Sequence, residues 1–181
     1  MTSNAGKYRE VARALRAAGI PVRRVATTYP EIQAESLEAV LRAAADGLDR
    51  RVQGDYLADD SGLFVDALRG FPGVFSAHAF HTLGCEGLLR LLRGVRNRSA
   101  RFECRFLIAA GGKHRIVGGT CRGRIAPSLR GESGFGFDPI FIPEGASRTF
   151  AEMSTEEKNA VSHRGRAVRE VIRSLRPARG K

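Results

Sequence analysis

The chain has 181 residues and a mass of 19.7 kDa, the size of one compact domain, and its 43% apolar content is enough to bury a core without disulfides or a structural metal. A charged fraction of 27% with only seven prolines excludes a disordered or fibrous chain, and no apolar run approaches the ~20 residues of a membrane-spanning helix. Thirty basic against nineteen acidic side chains leave a net charge of +11, with arginine supplying 26 of the positives, which suits either an anionic partner or arginine serving as ordinary surface charge.

Residues 5–18 place Tyr8, Val11, Ala12, Leu15 and Ala18 at helical spacing, and Gly19-Ile20-Pro21 ends the pattern. Ahead of it stands Thr2-Ser3-Asn4-Ala5-Gly6-Lys7. That segment reads either as a plain helix cap or as an anion cradle, in which Gly6 lets backbone approach a ligand and Lys7 neutralises one phosphoryl oxygen. It is not a P-loop, which needs a second glycine and a Ser/Thr after the lysine. A β-prone run, Val22 to Thr28, follows. Residues 35–48 form a second helical pattern, with Leu37, Val40, Leu41, Ala44 and Leu48 on one face and Glu35 at its start.

Tyr56-Leu57-Ala58 reads as a short buried strand delivering Asp59-Asp60-Ser61-Gly62 into a loop, a common place for ligands in α/β sheets. Asp59, Asp60 and Glu35 are either turn and helix-start charges or hard oxygen ligands for a Mg²⁺ that carries a polyphosphate. Residues 84–95 carry Leu88, Leu91, Leu92 and Val95 as a third helix. Arg101 to Ala110 alternates like a strand, and Gly111-Gly112-Lys113 turns it into a hairpin partner through Ile116-Val117. Gly134-Phe135-Gly136-Phe137-Asp138-Pro139 is either a glycine-rich turn feeding a core strand or a flat surface for stacking a base.

The closing helix has a capping-box start, Ser154-x-x-Glu157, and an apolar stripe from Ala160 to Leu175, with Pro177 ending it. Lys158 and His163 lie five residues apart, about 140° around one straight helix, so they share no face unless the helix breaks between them. Helices alternating with strands and then a hairpin give an α/β fold with a mixed sheet, in a single domain spanning 1–181. The positive charge concentrates in two segments, +5 over Arg90 to Arg105 and +6 over Arg164 to Lys181, with the remainder balanced. Cys85, Cys104 and Cys121 show no metal or disulfide spacing, Cys104 and Cys121 being symmetric about the hairpin centre. With no leader pattern either, the expectation is a cytoplasmic protein that is neither secreted nor embedded in a membrane.

Read in order, seven segments resemble the inosine triphosphatase family, in a spacing closest to its shorter, archaeal-type members. They are 2–7, Pro-Glu-Ile-Gln-Ala-Glu at 30–35, Asp-Asp-Ser-Gly-Leu at 59–63, Gly-Phe-Pro-Gly-Val-Phe-Ser at 70–76, 134–141, Thr-Phe-Ala-Glu-Met-Ser at 149–154 and 156–164. The resemblance implies hydrolysis of purine nucleoside triphosphates (ITP, dITP, XTP) to the monophosphate and pyrophosphate. It also implies Mg²⁺, a homodimer, and an elongated mixed β-sheet flanked by helices, forming two lobes around a central cleft. By position, Glu35 and Asp60 would hold the metal, with Asp60 the acid–base residue. Thr2, Ser3, Asn4, Ala5, Gly6, Lys7, Ser61 and Lys158 would take phosphate and sugar. Phe135, Gly136, Phe137 and Asp138 would pack on the base, and His163 with Arg164 would read it.

Telling hypoxanthine from adenine means telling a keto acceptor from an amino donor, and a site built to donate there rejects the wrong base by as much as roughly 10⁴-fold. Members of the family carry an apolar strand before the Thr-Ser-Asn segment, whereas here Met1 abuts Thr2: either the start is misassigned or that strand is missing, and in the second case residues 2–7 are expected to be the least firmly held. A nucleic-acid-binding protein using the two arginine-rich segments is the competing reading, but no nucleic-acid module is recognised and no nucleic-acid partner is expected. A relative that only binds nucleotides would not need Glu35, Asp60, Lys158 and His163 together.

Overall fold

The computed structural model describes residues 5–25 and 32–175. Among these residues four strands form one sheet in the order β1 (Tyr56–Val65), β2 (Ser99–Ala110), β3 (Lys113–Ile125) and β4 (Phe141–Pro143), each antiparallel to the next. The α-helices described are α1 (Ala5–Ala17), α2 (Leu37–Asp49), α3 (Ser76–Leu91), α4 (Thr155–Val161) and α5 (His163–Leu175). The α/β architecture with helices flanking a sheet is the expected one, although the described strands pair antiparallel throughout. Of the β-prone run Val22 to Thr28, residues 22–25 carry no strand and the rest lie outside the described residues. No helix among the described residues is long and apolar enough to cross a membrane.

Strand alternation sorts side chains to the two faces of the sheet. Tyr56, Ala58, Leu107 and Ala109 face α2 and its buried stripe Leu41, Ala44, Ala45 and Leu48. The other face packs against α1 and α5 through Leu57, Cys104, Phe106 and Ile108, and further along against α3 through Leu63, Val65, Ala100 and Phe102. On β1 this second row runs Leu57, Asp59, Ser61, Leu63, Val65. Two polar residues thus interrupt an apolar row, between the cluster under α5 and the cluster under α3.

Three elements depart from the sequence reading. β1 does not end at Ala58: Leu63-Phe64-Val65 resumes the alternation and pairs with β2 without a break from Tyr56↔Ala109 to Val65↔Ala100, so cross-strand pairing overrides the turn preference of Asp-Asp-Ser-Gly. The aspartates therefore lie within the strand and not in a loop after it. The third helix begins at Ser76, well before residue 84, and its two halves meet at a kink at Gly84. Its start is tied down by the Ser76 hydroxyl, which accepts from the Leu63 N–H at 2.7 Å and donates to the Gly73 carbonyl at 2.6 Å. Cys104 and Cys121 stand opposite Gly119 and Phe102, not opposite each other, and all three cysteines are buried and free.

The hairpin turns at Gly111-Gly112, and Gly119 on β3 is where α5 presses on the sheet. A methyl group there would collide with the His163 carbonyl and the Ala167 nitrogen, both backbone atoms. Gly119→Ala is expected to destabilise the protein by about 1–3 kcal/mol through forced displacement of α5. Denaturant unfolding checks this, and a midpoint equal to that of the unsubstituted chain would show that α5 tolerates the shift.

Candidate active site

The polar gap on β1 is the floor of a cluster assembled from four other segments. Lys7 from α1 brings its ammonium to 3.6 Å from Asp59 Oδ2. Glu10, one turn further along α1, accepts from Lys158 Nζ at 3.2 Å and from Arg164 Nη1 at 2.7 Å. Lys158 also donates to Asp138 Oδ2 at 2.7 Å, and that oxygen accepts the Phe135 N–H at 2.8 Å. Arg164 Nη2 reaches Ser61 Oγ at 3.4 Å. Lys158 Nζ and the Arg164 guanidinium stand 4.7 and 5.2 Å from the centre of the Phe135 ring, within cation–π range.

The helix does break between Lys158 and His163, which answers the geometric objection raised by their spacing. Ser162 is extended (φ −69°, ψ 157°), ending α4, and α5 restarts at His163. The capping box at Ser154 and Glu157 is present, its two bonds 3.1 and 2.8 Å long. Lys158 and Arg164 can therefore converge on Glu10 from two helices. His163 is buried and stacks on Phe102, ring centres 4.6 Å apart and planes within 11°. Among the described residues its Nδ1 and the Arg164 Nε have no hydrogen-bond partner, so both can serve a ligand.

Of the residues singled out from sequence, Lys7, Ser61, Phe135, Asp138, Lys158, His163 and Arg164 thus lie together. Phe137 does not join them. Its ring is in the core, edge-on to Phe80 at 5.4 Å, and of this segment Phe135 and Asp138 are at the cluster, while the Gly136 carbonyl meets Cys85 of α3. Thr2, Ser3 and Asn4 lie outside the described residues; Ala5 and Gly6 open α1 next to Lys7. Strand alternation separates the paired aspartates: Asp59 faces the cluster, while Asp60 faces α2, opposite Arg105 in the register. Arg105 in turn bonds Glu38 at 3.1 Å in the first turn of α2, and Glu35 lies one residue before the Ser36 cap of that helix. Asp60 and Glu35 so belong to the same face of the molecule.

Among the described residues no group of three or more His, Cys, Asp or Glu is placed so as to hold a metal ion by itself. Two carboxylates of hard oxygen character with no imidazole or thiolate beside them suit a cation whose remaining ligands are phosphate oxygens and water, the manner of Mg²⁺. Sequence reasoning missed Glu10. Its one available signal was its place three residues after Lys7, which puts both on one side of α1.

The electrostatics follow from burial. Burial pushes Asp138 above the ordinary carboxylate range, against the opposing pull of Lys158. Burial also raises Glu10, but the adjoining Arg164 and Lys158 charges outweigh it and hold its carboxyl below 4.5. His163 is driven well below 6.5, first by burial and then by the positive charges of Arg164, Lys158 and Lys7. It is a neutral imidazole at physiological pH.

Among the described residues, several arginines of the basic segments are engaged within the molecule. Arg98 donates to the Ile125, Ala126 and Leu92 carbonyls at 2.8, 2.7 and 3.2 Å. Arg101 and Arg105 both bind Glu103, and Arg166 donates to the Thr120 carbonyl at 2.9 Å.

The sequence profile of the Ham1 family matches residues 1–174. A protein of Thermococcus kodakarensis named dITP/XTP pyrophosphatase is 51% identical over 176 residues, 97% of this chain and 95% of that one. One of the same name from Pyrococcus horikoshii is 47% identical over 93% of this chain and 91% of its own length. Among solved structures, the Staphylococcus aureus Ham1 protein superposes with a TM-score of 0.83 at 28% identity, covering 96% of this chain and 95% of its own. The nucleoside-triphosphatase, or dITP/XTP pyrophosphatase, of Mycobacterium abscessus gives 0.71 at 35% identity, with 97% of both chains covered.

Because the His163 pKa is lower folded than unfolded, the unfolded chain binds the extra proton on acidification. The stability contributed by neutral His163 is therefore present above pH 6.5 and is lost as pH falls through that value towards the depressed one. The unfolding free energy, followed in denaturant at steps between pH 7.5 and pH 5, is expected to decline, and His163→Gln to flatten that decline; equal slopes for both proteins would refute the assignment.

Proposed function

Since the chain belongs to the Ham1 family, we propose that it hydrolyses non-standard purine nucleoside triphosphates, ITP, dITP and XTP, to the monophosphate and pyrophosphate. The observation that carries this reading is the convergence of Lys158, Arg164, His163 and Phe135 around one buried cluster. Phe135 presents an aromatic surface to a base. The Arg164 guanidinium donates hydrogen bonds only, as a keto-bearing base edge requires and an amino-bearing one does not. His163, neutral, can donate or accept according to its tautomer.

At the phosphate end, Lys7 and the first turn of α1 neutralise and orient the anion. Glu35 and Asp60 would hold Mg²⁺, which when bound neutralises phosphate oxygens and lowers the repulsion that an incoming nucleophile meets. Asp60 accepts a proton from the water whose oxygen attacks the α-phosphorus. The bond between the α-phosphorus and the bridging oxygen breaks, and pyrophosphate leaves. Asp60 and the base cluster lie on opposite faces of β1, an edge strand among the described ones, and Lys7 stands on the cluster's face beside Asp59, so the substrate passes the edge of that strand, its phosphates running from Lys7 towards Glu35 and Asp60. The same reading includes a cytoplasmic homodimer. Exposed Phe71, Phe75 and Leu83 supply apolar surface of the kind a second copy covers.

Pyrophosphate release from ITP, XTP, ATP and GTP, with Mg²⁺ and with EDTA, tests the proposal. Release from ITP and XTP is expected to exceed that from ATP by about a hundredfold or more and to stop in EDTA. Asp60→Asn is expected to lower kcat by roughly 10²- to 10⁴-fold, the scale of general acid–base help. Full activity in that variant would remove Asp60 from the mechanism, and no release from any triphosphate would overturn the function.

A further inference from the structure

Helix α3 takes no direct part in the cluster, yet it touches the segment that supplies Phe135. Its two halves meet at Gly84 (φ 64°, ψ −173°), a backbone conformation closed to residues with a side chain. The kink turns Cys85 towards the 134–138 segment, where its Sγ lies 3.4 Å from the Gly136 carbonyl oxygen. One turn earlier on α3, Phe80 packs edge-on against Phe137. Gly136 is the residue at which the chain reverses the direction of its rings. Before it, Phe135 lies under Lys158 and Arg164; after it, Phe137 is inside the core.

Resting on the reading that this cluster takes a purine base, we infer that Cys85 is a positioning residue: its S–H, donated to the Gly136 carbonyl, fixes the turn that sets the Phe135 ring and so tunes base selectivity. Burial, with the negative charge of Asp138 added, pushes the thiol up to about 11, so it remains a protonated donor at neutral pH. Cys85 is buried, and the hydrogen bond it makes is to the 134–138 segment, so its effect passes through that segment. Phe137 and Phe80 would keep the far end of that segment in place, while the end carrying Phe135 loosened.

Two variants and two readouts decide the matter. Cys85→Ala removes the donor with little change in volume, and Cys85→Ser restores one. In Cys85→Ala, KM for ITP is expected to rise about tenfold with kcat nearly unchanged, the scale of one lost hydrogen bond, and the preference for ITP over ATP to fall. Amide hydrogen exchange at Phe135 and Asp138 is expected to quicken in the same variant, and Cys85→Ser to restore both quantities towards those of the unsubstituted protein. Unchanged exchange and unchanged KM in Cys85→Ala would overturn the inference, as would a serine variant that behaves like alanine. If the unsubstituted protein releases no pyrophosphate from ITP, the functional reading fails, and the exchange measurement alone then judges the role of Cys85.

Discussion

The constraint on which the site depends is the burial of a lysine ammonium. Lys158 is only 4% exposed, and an isolated charge at that depth would neutralise or come out. It remains because Asp138 and Glu10 both contact it, and Glu10 remains because Arg164 balances it on the other side. Two cations and two carboxylates from α1, the 134–138 segment, α4 and α5 thus form one electrically neutral unit. Removing one member of a buried pair costs roughly 3–5 kcal/mol, since the partner is left uncompensated. The ion network so fixes where four separate segments meet, and the apolar clusters beside it supply the bulk of the stability.

The sheet makes room for that unit by a local breach of its own pattern. The β1 row facing α5 would read as continuous core but for Asp59 and Ser61, and those two positions receive Lys7 and Arg164. Cys104, directly across from Ser61, is fully buried, and burial pushes its thiol up to about 12, so the partner strand adds no charge to the gap. Neutral His163 completes the arrangement. Its ring is apolar enough to stack on Phe102, and its uncharged state avoids a further positive charge beside Lys158, Arg164 and Lys7. Polar chemistry is confined to a narrow band between two apolar clusters, where the dielectric is low and each hydrogen bond counts for more.

Much of this was legible in the sequence. The apolar stripes of α1, α2 and α5, the alternation of β2, the Gly111-Gly112 turn and the Ser154 capping box are local patterns with local causes, and each is present. The family was legible through seven motifs in order, none of which is specific alone. What escaped was set by partners distant in sequence. β1 continues through Asp-Asp-Ser-Gly because β2 pairs with it. Glu10 looked like one more helix charge because Lys158 and Arg164 lie about 150 residues away. Phe137 belongs to the core because α3 supplies Phe80, and the first half of α3 was not read because its apolar pattern is weak ahead of Gly84.

Glu10 and Lys158 thus act as one energetic unit holding α1 and α4 at the site. A double-mutant cycle on unfolding free energy, with Glu10→Gln, Lys158→Met and the double variant, measures that coupling directly. An interaction energy of about 1–3 kcal/mol is expected, the double variant losing less stability than the two single losses combined. Losses that add to within about 0.5 kcal/mol would contradict it, and would make the buried charges independent occupants of a site held together by packing alone.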